Sequence, residues 1–353
     1  MGKITLGEVA IESKATWKSD KVGVPIVGLE HLEPGEITLS NWEIDSENTF
    51  TKKFSKGQVL LGRRRVYLRK AVIAPVDGIC SGDITVIEAI PGKILPELLP
   101  FVIQNDKFFD YAVQGSAGSL SPRVKWEHLK KYSFELPSID EQKVLANKLW
   151  TAYRLKESYK KLLSATDEMV KSQFIEMFGS ESSKVLLEDV VFVKDDCRKP
   201  INEGIRSEMK EGELYPYYGA TGVVDYINDY ITDEELLCVA EDCGNYNAGE
   251  ESAYIIRGKA WVNNHAHLVK MKDSCDIKYL YYYLKIANLM PYVSGTTRLK
   301  LTQKKLREIP VVLPTKDKQT AFVAIAEQAD KSKFELRKSI EAIDAVIKSL
   351  INY

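Results

Sequence analysis

Two stretches of this chain keep one apolar rhythm and contain neither glycine nor proline. In the first, which runs to Phe178, side chains suited to a packed seam fall at Leu145, Leu149, Ala152, Lys156, Tyr159, Leu163, Thr166, Val170, Gln173 and Met177. In the second, which runs to Ile351, they fall at Phe322, Ala326, Ala329, Lys333, Leu336, Ile340, Ile343, Ile347 and Leu350. Steps of four and three sustained this far are the heptad signature of helices that pack lengthwise on a partner. At about 1.5 Å per residue each predicts a rod of roughly 50 to 60 Å. Each run opens on a related heptapeptide, Leu136-Pro-Ser-Ile-Asp-Glu-Gln142 and Leu313-Pro-Thr-Lys-Asp-Lys-Gln319, and one offset of 177 positions aligns both runs without a gap. The simplest partner for each helix is therefore the other, in an antiparallel pair.

The residues ahead of each rod alternate short apolar runs with glycines. Gln58 to Leu61, Ala71 to Ala74 and Ile84 to Ile87 read as strands, and Leu95 to Val113 as a helical segment. The second half retraces this order. Pro25 to Gly28 aligns with Pro216 to Gly219, Gly78 to Asp83 with Ala260 to His265, and Leu129 to Pro137 with Leu306 to Pro314. The fold expected is α+β: two similar mixed α/β domains (1–137 and 180–314) alternating with two long coiled-coil helices (138–179 and 315–353), related by a pseudo-two-fold axis. Ser138 and Thr315 are suited to cap the helices, and Ser138 with Glu141 forms a capping box.

Composition narrows the classes. No apolar run approaches membrane-spanning length, and no signal-peptide pattern opens the chain. The five cysteines, Cys80, Cys197, Cys238, Cys243 and Cys275, show no Cys-x-x-Cys spacing, so reduced thiols in a cytoplasm are expected. The net charge of −1 conceals no basic tail, and phosphate contacts must come from local clusters.

Catalytic constellations are not evident. Asp140, Glu141 and Lys143 look like a nuclease fragment, but helix capping accounts for Glu141, and Lys318 and Thr320 replace the acid and base in the second copy. His265 and His267 alternate on a predicted strand and would share one face, yet no further metal ligand stands at a recognisable spacing. The Gly219 to Gly222, Gly115 to Gly118 and Pro91 to Lys93 turns lack phosphate-loop spacing.

The basic clusters carry more. Arg63, Arg64, Arg65, Tyr67, Arg69 and Lys70 directly follow a strand. Arg123 and Lys125 precede the first rod, as Arg298, Lys300 and Lys304 precede the second. A solvated face is the usual meaning of such runs, but matched positions in two repeats suit a duplex with two half-sites. Asn245, Asn247, Asn263, Asn264 and His265 add side chains able to read base edges.

With these residues in view, the chain resembles the specificity subunits of type I restriction-modification systems. The resemblance rests on the two Leu-Pro heptapeptides with their long helices, on Gly57 to Arg64 with Asp77 to Ser81, and on Pro216 to Gly222 with Trp261 to His267. It implies a non-catalytic reader of a bipartite DNA target, one half-site per domain, with two methyltransferase subunits and the restriction subunits as partners. S-adenosylmethionine, ATP and Mg would then belong to those partners, and this chain would hold no cofactor. Lys318 and Thr320 depart from the first copy's Glu141 and Lys143 and place any partner contact there in doubt. Two other classes stay open, a methyltransferase or nuclease in its own right and a coiled-coil adaptor that binds proteins only.

Overall fold

A computed structural model describes residues 2–118, 120–179, 184–242, 245–296 and 298–352. The contacts divide the chain into two units, Met1–Lys160 with Arg337–Tyr353 and Lys161–Leu336, so each unit combines a globular domain with part of both long helices.

The first unit is closed by an antiparallel pair, Gly2–Thr5 against Ser133–Leu136, which brings the two ends of the domain together. A four-stranded antiparallel sheet follows in the order Ala10–Glu12, Ile84–Ala89, Val59–Gly62, Ala71–Ile73. Beside it lies a three-stranded sheet in which Ile26–Val27 runs parallel, and Lys52–Phe54 antiparallel, to the central Gly78–Cys80. The strand Val59–Gly62 is apolar throughout because both its faces are covered. Val59 and Leu61 face one cluster with Ile87 and Phe108, whereas Leu60 faces another with Val72 and Val86. The expected helical segment is broken into Leu99–Ile103 and Asp106–Gln114, with Asn105 capping the second by accepting from the Lys107 amide.

The second unit repeats the plan. Lys184–Leu186 pairs with Pro310–Val312, and the four-stranded sheet runs Val191–Val193, Ala266–Met271, Leu236–Ala240, Ala253–Ile256. Tyr215–Gly219 lies parallel to Lys259–Val262, with Tyr217 opposite Trp261 as Ile26 is opposite Ile79. The positions aligned by sequence thus occupy the same sheet register in both units.

The long helices are Ile139–Phe178 and Lys316–Ile351. Every seam position expected from the heptads is buried or half-buried. In the second unit Asp167 meets Lys333 at 2.8 Å and Phe178 meets Phe322 at a ring separation of 5.7 Å, so partner numbers fall as helix numbers rise and the segments are antiparallel. In the first unit Lys156 meets Asp344 at 2.7 Å. The 177 offset carries this ion pair onto Asp167–Lys333, which gives both lysines in the apolar seam a carboxylate partner. At the first helix start Glu141 accepts from the Ser138 amide at 2.9 Å and hydroxyl at 2.8 Å, as the capping box requires.

The repeated glutamines explain why the heptapeptides match. Gln142 accepts from the Leu95 amide at 2.9 Å and donates to the Pro137 carbonyl at 2.9 Å. Gln319 accepts from the Asp276 amide at 2.8 Å and donates to the Ser274 and Pro314 carbonyls at 3.0 and 2.8 Å. Each buried amide fastens a helix start to the loop ahead of its domain's helical segment. Gln319→Leu leaves one backbone donor and two acceptors without this partner and is expected to cost about 1–3 kcal/mol, read from urea unfolding. A neutral result would refute the fastening role.

Among the described residues no helix is long and apolar enough to cross a membrane. Cys80, Cys197, Cys238 and Cys275 are free thiols, and burial pushes Cys80, Cys238 and Cys275 up to about 12. Cys243 lies outside the described residues.

Candidate nucleic-acid interface

In the first unit the interface is assembled from three segments at one sheet end. Strand Val59–Gly62 runs into Arg63, the central strand Gly78–Cys80 into the turn Ser81 to Asp83, and a returning segment brings Arg123 alongside Arg64. Arg63 donates its amide to the Asp83 carbonyl, and Arg65 to the Pro122 carbonyl. Asp83 is the hub. Arg123 reaches its carboxylate through Nε at 2.7 Å and Nη2 at 3.2 Å, and Arg64 stands 3.5 Å away while donating to Ser121 at 3.1 Å. The Arg123 hydrogen bond outweighs burial and holds the Asp83 carboxyl below its usual range. The Nε atoms of Arg63 and Arg64 are buried and without a partner among the described residues.

Tyr67 belongs to a single 3-10 turn, Val66–Leu68, bracketed by left-handed Arg65 and Arg69 at φ +52° and +54°. Its ring is exposed. Arg69 turns instead toward the helix Asp106–Gln114, where it pairs with Asp106 and Asp110 and lies over the Phe109 ring. Lys125 is exposed at the start of Trp126–Leu129.

The second unit builds the same framework with its acids at other positions. Strand Leu236–Ala240 runs into Glu241 and Asp242 where the first unit has Arg63 and Arg64, and His265 stands where the first has Asp83. The returning segment brings Lys300 opposite Asp242 as Arg123 lies opposite Arg64. Asp242 pairs with His265 Nδ1 at 2.8 Å and Arg298 at 3.0 Å, and Glu241 with Lys300 at 3.0 Å. Asn264 is exposed in the adjoining turn, whereas Asn263 is buried and spends its side-chain oxygen on the His265 amide. Asn247 donates to Glu250 at 3.0 Å, and Asn245 and Lys304 are exposed.

The two histidines do not share a strand face as expected. His265 lies in the turn before the strand Ala266–Met271, and His267 is buried within it. His267 Nδ1 contacts the Asp195 carboxylate at 2.7 Å and its Nε2 the Leu301 carbonyl at 2.7 Å. Asp195 also accepts from Gln303 at 2.9 Å, Arg198 at 3.0 Å and the Leu268 amide at 3.0 Å, and Arg198 continues to Glu241 at 2.6 Å. This network ties the 301–303 segment beneath the exposed cations. Sequence reasoning did not find Asp83, Asp195, Glu241 or Asp242, because the partners they meet lie far along the chain: Asp83 meets Arg123 across 40 residues, Asp195 His267 across 72 and Asp242 Arg298 across 56.

Residues 180–344 match the family model described as the Type I restriction modification DNA specificity domain. The second half of this chain is therefore similar to the type I specificity domain. It is 35% identical over 149 residues to a putative type I restriction enzyme specificity subunit, S.HindORF215P, of Haemophilus influenzae, which covers 42% of this chain and 37% of that protein. It is 25% identical over 129 residues to the EcoprrI specificity subunit of Escherichia coli, covering 36% and 30%. The matched part thus spans about a third of these curated relatives. The fold is similar to that of an S subunit from M. genitalium, with a TM-score of 0.57, 15% identity and 99% and 95% of the two chains covered. A structure described as concerning assembly and conformational transition of the type I R-M system gives 0.58 at 17% identity over 99% and 96%. The motifs from Pro216 and from Trp261 prove to be adjacent strands, joined by the Asn263 amide donating to the Tyr218 carbonyl at 3.0 Å.

Proposed function

We propose that this chain is the DNA-reading, non-catalytic subunit of a type I restriction-modification complex, with each unit reading one half of a bipartite target. The observation that carries the proposal is a cation-bearing loop cluster at the corresponding place in each unit, Arg63, Arg64 and Arg123 in one and Arg298 and Lys300, beside His265, in the other. Arginines anchored by a carboxylate keep further N–H donors for phosphates or guanine edges at little entropic cost. Methyltransferase subunits, with S-adenosylmethionine, and ATP- and Mg-dependent restriction subunits would act on the DNA so positioned.

The test is domain exchange in the reconstituted complex. Replacing residues 1–137 by the corresponding domain of another specificity subunit is expected to change one methylated half-site and leave the other as it was. Footprints should show two protected patches, and affinity should fall steeply with salt as phosphate contacts are lost. One continuous patch, or a change in both half-sites, would sink the proposal. Methylation or cleavage by the purified chain alone would favour an autonomous enzyme. Absence of any sequence-dependent shift with partners present would favour an adaptor.

A further inference from the structure

The connection that follows the arginine cluster of the first unit carries two large side chains that its core does not use. Val66–Leu68 form one 3-10 turn, and at three residues per turn their side chains point about 120° apart. Val66 is 1% exposed and belongs to the core, so Tyr67 and Leu68 are turned outward, at 52% and 42% exposure. The outward pair stands among cations. Leu68 lines a groove of about 310 Å³ with Arg64, Arg65 and Lys70, against the single carboxylate of Glu30. A solvated basic face has no need of such a pair.

The turn is also held rigidly. Arg65 and Arg69 take left-handed backbone at φ +52° and +54°, which residues other than glycine rarely adopt and which persists only where the surroundings impose it. Those surroundings are present. The Arg65 amide donates to the Pro122 carbonyl at 2.7 Å, the Lys70 ammonium to the Leu29 carbonyl at 2.8 Å, and Arg69 pairs with Asp106 and Asp110. In the second unit the connection between the corresponding strands turns its tyrosine inward. Tyr246 is buried there and its hydroxyl donates to the Ala240 carbonyl at 3.1 Å, so the framework itself does not require an outward tyrosine.

Double-stranded DNA is the occupant that this chemistry fits. Phosphates would meet Arg64, Arg65 and Lys70, and the apolar surface between phosphates is a base step, which a rigid aromatic and aliphatic pair enters by parting the stacked bases. We infer that Tyr67 and Leu68 form a wedge that opens one base step in the half-site read by the first unit, which is then selected partly by how readily it deforms. The inference rests on the DNA-reading function and adds to it a distortion made by the first unit.

The test uses the reconstituted complex and duplexes carrying the target that domain exchange identifies, each with a single mismatch moved along the site. A mismatch weakens stacking in advance, so one position in the first half-site should raise the affinity of the native complex several-fold. Tyr67→Ser with Leu68→Ser, both exposed, should lower affinity for the matched duplex roughly 10-fold and erase the gain from that mismatch. The salt dependence should stay as it was, since no phosphate contact is lost. Equal affinity of the native and variant complexes for the matched duplex, or no mismatch that favours the native complex alone, would overturn the wedge. So would a variant that no longer assembles with the methyltransferase subunits, which would make the turn a protein contact. Domain exchange that changes no half-site would instead remove the DNA-reading function itself.

Discussion

Phe322→Ala is expected to destabilise the second unit by about 3–5 kcal/mol. The side chain is fully buried about two turns into the second long helix. Its ring lies 5.4 Å from Phe174, 5.7 Å from Phe178, 6.2 Å from Tyr279 and 6.5 Å from Tyr282, nearly edge-on to each. Truncation removes the apolar burial, the quadrupolar ring contacts and the filling of a space that rigid aromatic neighbours cannot collapse into. Trp261 is the one tryptophan between positions 161 and 336 and provides a fluorescence report on that unit during urea unfolding. The counterpart change, Leu145→Ala, removes a half-buried side chain that already borders a cavity, and should cost markedly less. Equal losses at the two sites would contradict the difference between the units.

The second large effect is expected at Asp195. Its carboxylate holds His267, Arg198, Gln303 and the Leu268 amide, and its side chain is 7% exposed while that of His267 is 1% exposed. Asp195→Ala leaves His267 and the Leu268 amide buried without their acceptor and takes the carboxylate from the largely buried Arg198, and should cost about 3–5 kcal/mol, because breaking one side of a buried charged pair strands the other. Burial by itself raises the Asp195 pKa, but the hydrogen bonds from His267, Leu268 and Gln303 win and hold it below the usual aspartate range. A carboxyl depressed in the folded state contributes stability above its unfolded pKa and loses it as pH falls through the folded value. The native chain should therefore lose stability below about pH 4 more steeply than the variant, by up to one proton in slope. Parallel pH profiles would show that Asp195 is not ionised in this network.

The helices were legible because helix formation and seam packing are written locally and periodically. Leu145, Leu149, Phe322 and Ala326 recur at the heptad spacing and are buried or, at Leu145, half-buried as that spacing required. The glutamines at 142 and 319 were visible as a repeat but not as fasteners, since their partners, Leu95 and Asp276, lie 47 and 43 residues earlier. Lys156 and Lys333 looked like isolated charges in a seam until the antiparallel register placed Asp344 and Asp167 against them.

The basic clusters were legible as positions and not as an electrostatic surface. Arg69 appeared to be one of a run, yet Asp106 and Asp110 draw it aside to a different helix. Asn263 looked able to read bases, but its carbonyl oxygen is committed to the His265 amide.

The sequence by itself determined the duplication, the antiparallel partnership of two long helices and the placement of matched cation-bearing loops, because each of these is encoded in spacing along the chain. Tertiary structure alone decided which charges meet. Arg64 and Asp83 in one unit answer to Asp242 and His265 in the other, with the acid moved to the opposite member of the pair. Such a pair conserves its geometry while the acid changes place, and its members are brought together only when separate strands end at the same end of a sheet.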